Sequence, residues 1–517
     1  MDDPQIRVGG SPESNFQFAR PAAARTRGEI SKTKPLLAEP RLQAPTLLHR
    51  GDRQLAKFTQ PGTTSREQLI EDLRQAAPPG QVELDERVVQ RLAAITIELG
   101  HHHRQRALET FARFIATTDR GLVPFDEPAL RGLRGETILV TGGPGCIGSA
   151  LLDELAKLQP TRLVSIARGL SQPLRRVAGV EYIEVDITSR DAIDLLFADL
   201  RPTVVFHLAA LRNPELAERA VARTISTNVF GTECLISSAR RHGVRLFVYA
   251  STGKALRFYT PDVYAASKKV GEWLVSRAGS EGAMACAIAR FTHVVDNSIV
   301  RRKIVNWGFD GSPVRLHGPN VAFYLQSARE AAQLLISAAL EAENGAPFVQ
   351  AIRNLGEPAD LLDLALGIGL ALGRISPLYL SGFEAGYEEQ PHPGLYDPLY
   401  SIEFSPLLNG LEAAGGAPSN VSPEIDRVEI GWAEDQRVLE SLEVLELSCL
   451  DSDSDDLRQA LNALSWELLR ARLDGSPVDA RRRALRRSIA AAKFLPLSQD
   501  HLRTTSVLDA SLPDGLD

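Results

Sequence analysis

Between Glu136 and Phe291 the chain alternates two hydrophobic patterns. Short, nearly unbroken apolar and β-branched runs ("TILVTG", "RLVSIAR", "VEYIEVDI", "TVVFHLAA", "RLFVYAS", "MACAIARF") are separated by stretches such as "CIGSALLDELAKL" and "RDAIDLLFADL". In the stretches, apolar positions recur every three or four residues. Runs without polar alternation are strands covered on both faces, and the amphipathic stretches supply that cover. The pattern predicts an α/β fold, a Rossmann-like doubly wound parallel sheet, over residues 133–291.

The flanks follow other patterns. Residues 1–63 are rich in Pro, Arg, Ala and Gly without periodicity, which predicts a poorly ordered arm. Ser65, with Gln68 three residues later, resembles a capping box, and "REQLIEDLRQ" and "ERVVQRLAAITIEL" then predict a small helical domain over 64–132. Residues 292–422, with strand-like "PVRLHG" and "PFVQAI" and helical "SAREAAQLLISAAL", are assigned to a smaller substrate lobe. Residues 423–517 are expected to form a helical C-terminal extension that separates acidic "DSDSDD" from basic "DARRRALRR". Adjacent histidines in "GHHHRQR" point in different directions on a helix, so they are read as an exposed turn and no metal site is expected.

Composition narrows the classes of function. A net charge of -7 over 517 residues offers no basic field for nucleic acid. Cys146, Cys234, Cys286 and Cys449 stand far apart without CxxC spacing, as in a reducing, cytoplasmic setting. No apolar run reaches the ~20 residues of a membrane helix, and the first residues carry no signal core.

The chemistry begins at "TGGPGCIGS", which ends the first predicted strand and opens the first helix. Gly142 permits the tight turn, Gly145 lets backbone amides approach a pyrophosphate, and Gly148 lets helix and strand pack closely. The positive end of the helix then faces the phosphates. The second strand ends in Ala167 and Arg168, where an acid would hold the ribose hydroxyls of NAD; a guanidinium suits a 2'-phosphate, so NADP is expected over NAD. Asp186 and Ile187 follow the third strand, where an adenine ring would be flanked. Farther on, Tyr264 and Lys268 share one face at the start of a helix, and Thr252 ends the fifth strand. An ammonium and a cationic nicotinamide near Tyr264 both favour phenolate, which would take a hydroxyl proton as hydride leaves the carbon.

The pieces "VTGGPGCIGS", "HLAALRNPELAE", "STNVFGT", "STGKA" and "YAASKKVGE" resemble the extended short-chain dehydrogenase/reductases over about residues 136–410. They are most similar to the CapD-type polysaccharide-biosynthesis branch, which includes UDP-N-acetylglucosamine 4,6-dehydratases. The resemblance implies dinucleotide contacts at Gly142, Gly145, Cys146, Ile147, Gly148, Arg168, Asp186, Ile187, Ala209, Asn228 and Lys268. It further implies Thr252, Tyr264, Lys268 and Lys254 in catalysis, and substrate contacts at Arg212, Thr252 and His293. Homo-oligomers of this fold pair through the long helices, which lie around Ala220–Arg240 and Ala265–Arg277.

Departures from the resemblance carry equal weight. The dehydratases place an acid between the Thr and the Lys to protonate the departing C6 hydroxyl, and Gly253 stands there instead. Losing a positioned general acid costs roughly a hundred- to ten-thousand-fold in rate. Lys254 remains as a base for C5, and Asp262 is a stand-in acid at some remove. The family's "GNV" is "THV" (Thr292, His293, Val294), and its "RPGEK" is "QPHPGL" (Gln390 to Leu395). His293 is read either as a substituted proton donor or as a packing histidine.

Three readings follow. The favoured one is an NADP-dependent oxidoreductase or epimerase acting at one carbinol of a sugar nucleotide or sugar-like molecule. The others are a 4,6-dehydratase with a displaced acid and a scaffold that senses NADP without turnover.

Overall fold

The computed structural model describes residues 65–513 apart from 124, 127–129, 170–175, 388–403, 414–416, 452 and 492–498. The expected arm and "QPHPGL" lie outside the described residues. A nine-stranded sheet organises the fold: β1 (Thr137–Thr141), β2 (Arg162–Ala167), β3 (Glu181–Glu184), β4 (Val204–His207), β5 (Leu246–Thr252), β6 (Ala285–Phe291), β7 (Phe348–Ile352), β8 (Ala417–Pro418) and β9 (Ile425–Glu429). Their order is β8-β9-β7-β6-β5-β4-β1-β2-β3. From β7 to β3 every pairing is parallel, and β9 and β8 close the other edge antiparallel. Helices Cys146–Lys157 and Ala328–Glu341 pack together, as do Arg190–Leu200, Gly231–Arg241 and Val263–Ser280. The unbroken apolar runs are explained by this cover: β4, β6 and β7 are buried along their whole length. No helix among the described residues is long and apolar enough to cross a membrane.

Two assignments change. "PFVQAI" is β7, which pairs parallel with β6 and belongs to the main sheet instead of the substrate lobe. Chain order conceals this, because residues 292–347 leave the sheet before the chain returns to it. The segment from 423 is not wholly helical either: Ile425–Glu429 is β9, whose five residues pair with β7 from Phe348↔Glu429 to Ile352↔Ile425. So short a run gave no periodicity to read.

Packing also crosses the expected boundaries. The N-terminal helices Arg66–Ala76, Glu86–His102 and Arg104–Ala116 share one hydrophobic core with lobe residues Leu362, Leu366 and Tyr379. Helix Val263–Ser280 is buried over nearly all its residues, and Ser454–Asp474 of the same chain packs against it. The tail therefore occupies a helix face that was expected to meet a second subunit. The helix is buried over nearly all its length, and the chain's own tail supplies part of that cover.

Candidate active site

The site lies where strand order reverses between β1 and β4, the crevice in which open α/β sheets bind ligands. Gly142 leaves β1 with φ +72°, and its N–H reaches the Ile166 carbonyl of β2 at 2.7 Å. A Cβ on Gly142 would stand 2.8 Å from the Ala209 nitrogen, and one on Gly148 would stand 2.5 Å from the Gly142 carbonyl oxygen. Gly145 is the N-cap of Cys146–Lys157 and has no side-chain cap, so the first amides of that helix face the loop. Gly143, unremarked in the sequence, is as constrained: its Cβ would be 2.2 Å from Ser165 Oγ. A cradle of bare backbone at a helix N-terminus fits a dinucleotide pyrophosphate.

The rest of the cradle is tied in from the neighbouring strands. Thr141 Oγ1 accepts from Leu208 and Ala209 N–H at 3.1 and 3.0 Å, and Ile187 packs against Gly231. Asp186 accepts from Thr188 N–H and hydroxyl at 3.0 and 2.9 Å and lies 3.7 Å from the half-exposed Arg168 guanidinium. Burial pushes its carboxyl up, but the Thr188 bonds and Arg168 hold it below the usual range. Asn228 sits in a π-helical turn, Ser226–Phe230, accepting from Leu211 N–H at 2.8 Å and donating to Ser267 Oγ at 3.0 Å. Such turns aim side chains in ways a regular helix does not.

Burial pushes the Tyr264 phenol above its ordinary value, while Thr252 and the charge of Arg212 pull it back. Arg212 also acts on the Cys146 thiol, which burial and Asp296 push to about 11. Arg212 is thus within electrostatic reach of both the glycine loop and the phenol. Lys268, 3% exposed, donates from Nζ to the Ala250 carbonyl at 2.7 Å and lies 3.9 Å from the Tyr249 ring centroid. Burial lowers its pKa to about 7, opposed by Glu272.

The region around Gly253 is filled. A Cβ there would be 2.8 Å from Leu407 Cδ2 and 3.4 Å from the Phe291 carbonyl oxygen. Lys254 reaches away to the Gly386 carbonyl, at 3.1 Å. Asp262 pairs with Arg257 at 3.1 Å, which commits it as an ion-pair partner. His293 meets Ser298 Oγ at 2.7 Å, with its ring centroid 4.7 Å from Phe323.

Residues 138–374 match the family described as polysaccharide biosynthesis protein. That span runs from the glycine loop through Tyr264 and Lys268. Over that span the chain is similar to CapD-type polysaccharide-biosynthesis proteins. "Capsular polysaccharide biosynthesis protein CapD" of Staphylococcus aureus is 28% identical over 294 residues, 52% of this chain and 48% of that protein. "Probable polysaccharide biosynthesis protein EpsC" of Bacillus subtilis is 27% identical over 278 residues, 50% of this chain and 45% of that protein. The chain spans about half the length of these relatives. A structure of Pen from Bacillus thuringiensis superposes with a TM-score of 0.48 at 19% identity, covering 57% of this chain and 88% of that one.

Sequence reasoning missed Gly143, Leu407, His207 and Tyr249. His207 is fully buried, with Nδ1 2.7 Å from Thr141 Oγ1 and Nε2 2.9 Å from Thr232 Oγ1. Burial and the charge of Lys268 lower its pKa well below the usual value, so it is neutral. "TVVFHLAA" contains it, and a histidine inside an apolar strand was the available signal.

Proposed function

We propose that the chain is a nicotinamide-dinucleotide-dependent oxidoreductase or epimerase acting at one carbinol of a nucleotide-sugar or sugar-like molecule. One observation carries the reading: the position between Thr252 and Lys254 is a glycine whose Cβ would press on Leu407, while Thr252 acts on the Tyr264 phenol and Lys268 is buried against the Tyr249 ring. Elimination needs a proton delivered to a leaving hydroxyl, and redox chemistry at one carbon does not. Glycine at 253 is then a packed position with no proton donor to lose.

In this reading Tyr264 accepts the carbinol proton, Thr252 orients the same oxygen, and Arg212 favours the phenolate, with Lys268 buried one helical turn along. Gly142, Gly145 and Gly148 hold the dinucleotide, which supplies the hydride acceptor when bound. The half-exposed Arg168 guanidinium supports NADP over NAD, as charge-assisted bonds to a 2'-phosphate exceed what a ribose hydroxyl offers. Lys254 and His293 have no step assigned. A compartment without disulfide pressure suits the four free cysteines.

Mass spectrometry of products from a panel of nucleotide sugars tests the reading. An unchanged mass, or a change of two hydrogens, supports it; loss of one water overturns it in favour of a dehydratase with its acid elsewhere. Denaturing the purified protein and identifying the released dinucleotide tests the cofactor. Retained oxidised cofactor marks a cycle that returns its own hydride, as epimerisation does.

A further inference from the structure

The first backbone amides of a helix have no partner within it, and the helix bearing Tyr264 begins one residue earlier, at Val263. Its N-cap, Asp262, does not bond those amides through its side chain, which pairs with Arg257. The Val263 N–H instead donates to Glu218 Oε1 at 2.8 Å, a carboxylate from helix Pro214–Arg219. Glu218 is itself held from the far end of the chain: Arg458, on helix Ser454–Asp474, donates to its carboxylate and to its backbone carbonyl. A negative group at this end of a helix is favoured by the helix dipole, and Arg458 holds that group in place.

A second tie lies just upstream. Tyr259, in the loop entering the helix, stacks on Trp466 with centroids 3.9 Å apart and donates to Asn462 Oδ1. Arg503 lies over the other partner of this stack, 4.2 Å from the Trp466 ring centroid. Both ties come from residues beyond the 138–374 family match.

We propose that the C-terminal helices are a positioning device for Tyr264, acting through Arg458 and Glu218 on the first turn of its helix. Arg458 and Glu218 are positioning residues, since neither touches the reacting atoms. The proposal rests on the reading of Tyr264 as the proton acceptor for its effect on rate, but its structural half does not depend on turnover.

The test uses the full chain with NADP present. Arg458→Ala is compared with Arg458→Lys, and Glu218→Gln with Glu218→Asp, by hydrogen–deuterium exchange. Arg458→Ala is expected to speed exchange across residues 257–266 by roughly tenfold or more, the scale of a lost charged hydrogen bond, and to leave 137–157 unchanged. Arg458→Lys keeps the charge and is expected to recover most of the protection. On a substrate that is turned over, kcat falls about tenfold while the dissociation constant for NADP stays within twofold. Unchanged exchange at 257–266, or an equal rise at 137–157, overturns the proposal. Absent turnover by the unmutated chain, with the exchange pattern as expected, counts against the catalytic reading alone.

Discussion

A methyl carbon of Leu407 stands where a side chain at position 253 would begin, and that contact decides how Gly253 is understood. Restoring an acid meets a Leu that is 5% exposed and has little room to turn. Gly253→Asp is expected to cost about 1–3 kcal/mol in urea unfolding and to produce no dehydrated sugar. Adding Leu407→Ala is expected to recover part of the loss by opening the space. Tyr264→Phe is the companion test: kcat is expected to fall roughly a hundred- to ten-thousand-fold, with NADP binding measured by fluorescence unchanged. At this scale the glycine loop was legible because its pattern is local. Gly143 and Leu407 were not, since what makes them matter lies 22 and 154 positions away, at Ser165 and Gly253.

Helix Val263–Ser280 shows what an element adds to its residues. Gly271 sits in its middle, where glycine is unfavourable by about 1 kcal/mol relative to Ala, and a Cβ there would lie 2.0 Å from Tyr249 Oη. The glycine admits the tyrosine ring on which the Lys268 ammonium rests. Lys268 is also faced by Glu272 on its own helix and by neutral His207 on β4. Its pKa, about 7, sets the sign of a pH test. If the ammonium is the active form, kcat/KM declines as pH rises through that value. Removing the ring weakens the cation, so Tyr249→Leu is expected to move this basic limb to lower pH by about half a unit to one unit. Tyr249→Phe retains the ring face and is expected to leave the limb in place. Four-residue spacing made Tyr264 and Lys268 readable; the support beneath them came from another strand and carried no spacing.

Across the whole molecule, a buried cluster joins the sheet, helix Val263–Ser280 and helix Gly410–Ala413. Arg290 on β6 donates to Glu272 at 2.8 Å and to Glu412 at 2.6 and 2.8 Å, and Ser251 donates to Glu272 at 2.6 Å. Arg290→Leu leaves two buried carboxylates without their cation and is expected to destabilise the fold by about 3–5 kcal/mol, read as a lowered urea midpoint. The parallel sheet could be anticipated from its apolar runs, whereas the cluster joins residues 272, 290 and 412 that no pattern links.

What the sequence determined by itself is the local part: which runs are strands, where the glycine loop opens a helix, and that Tyr264 and Lys268 end up within a turn of one another. These follow from hydrophobic period and from backbone freedom, both set by near neighbours. Only the tertiary structure decided that β7 returns to the sheet, that Leu407 packs on Gly253, and that the tail covers helix Val263–Ser280. Each depends on side chains distant in sequence competing for the same volume, and close packing settles that competition only once the chain has folded.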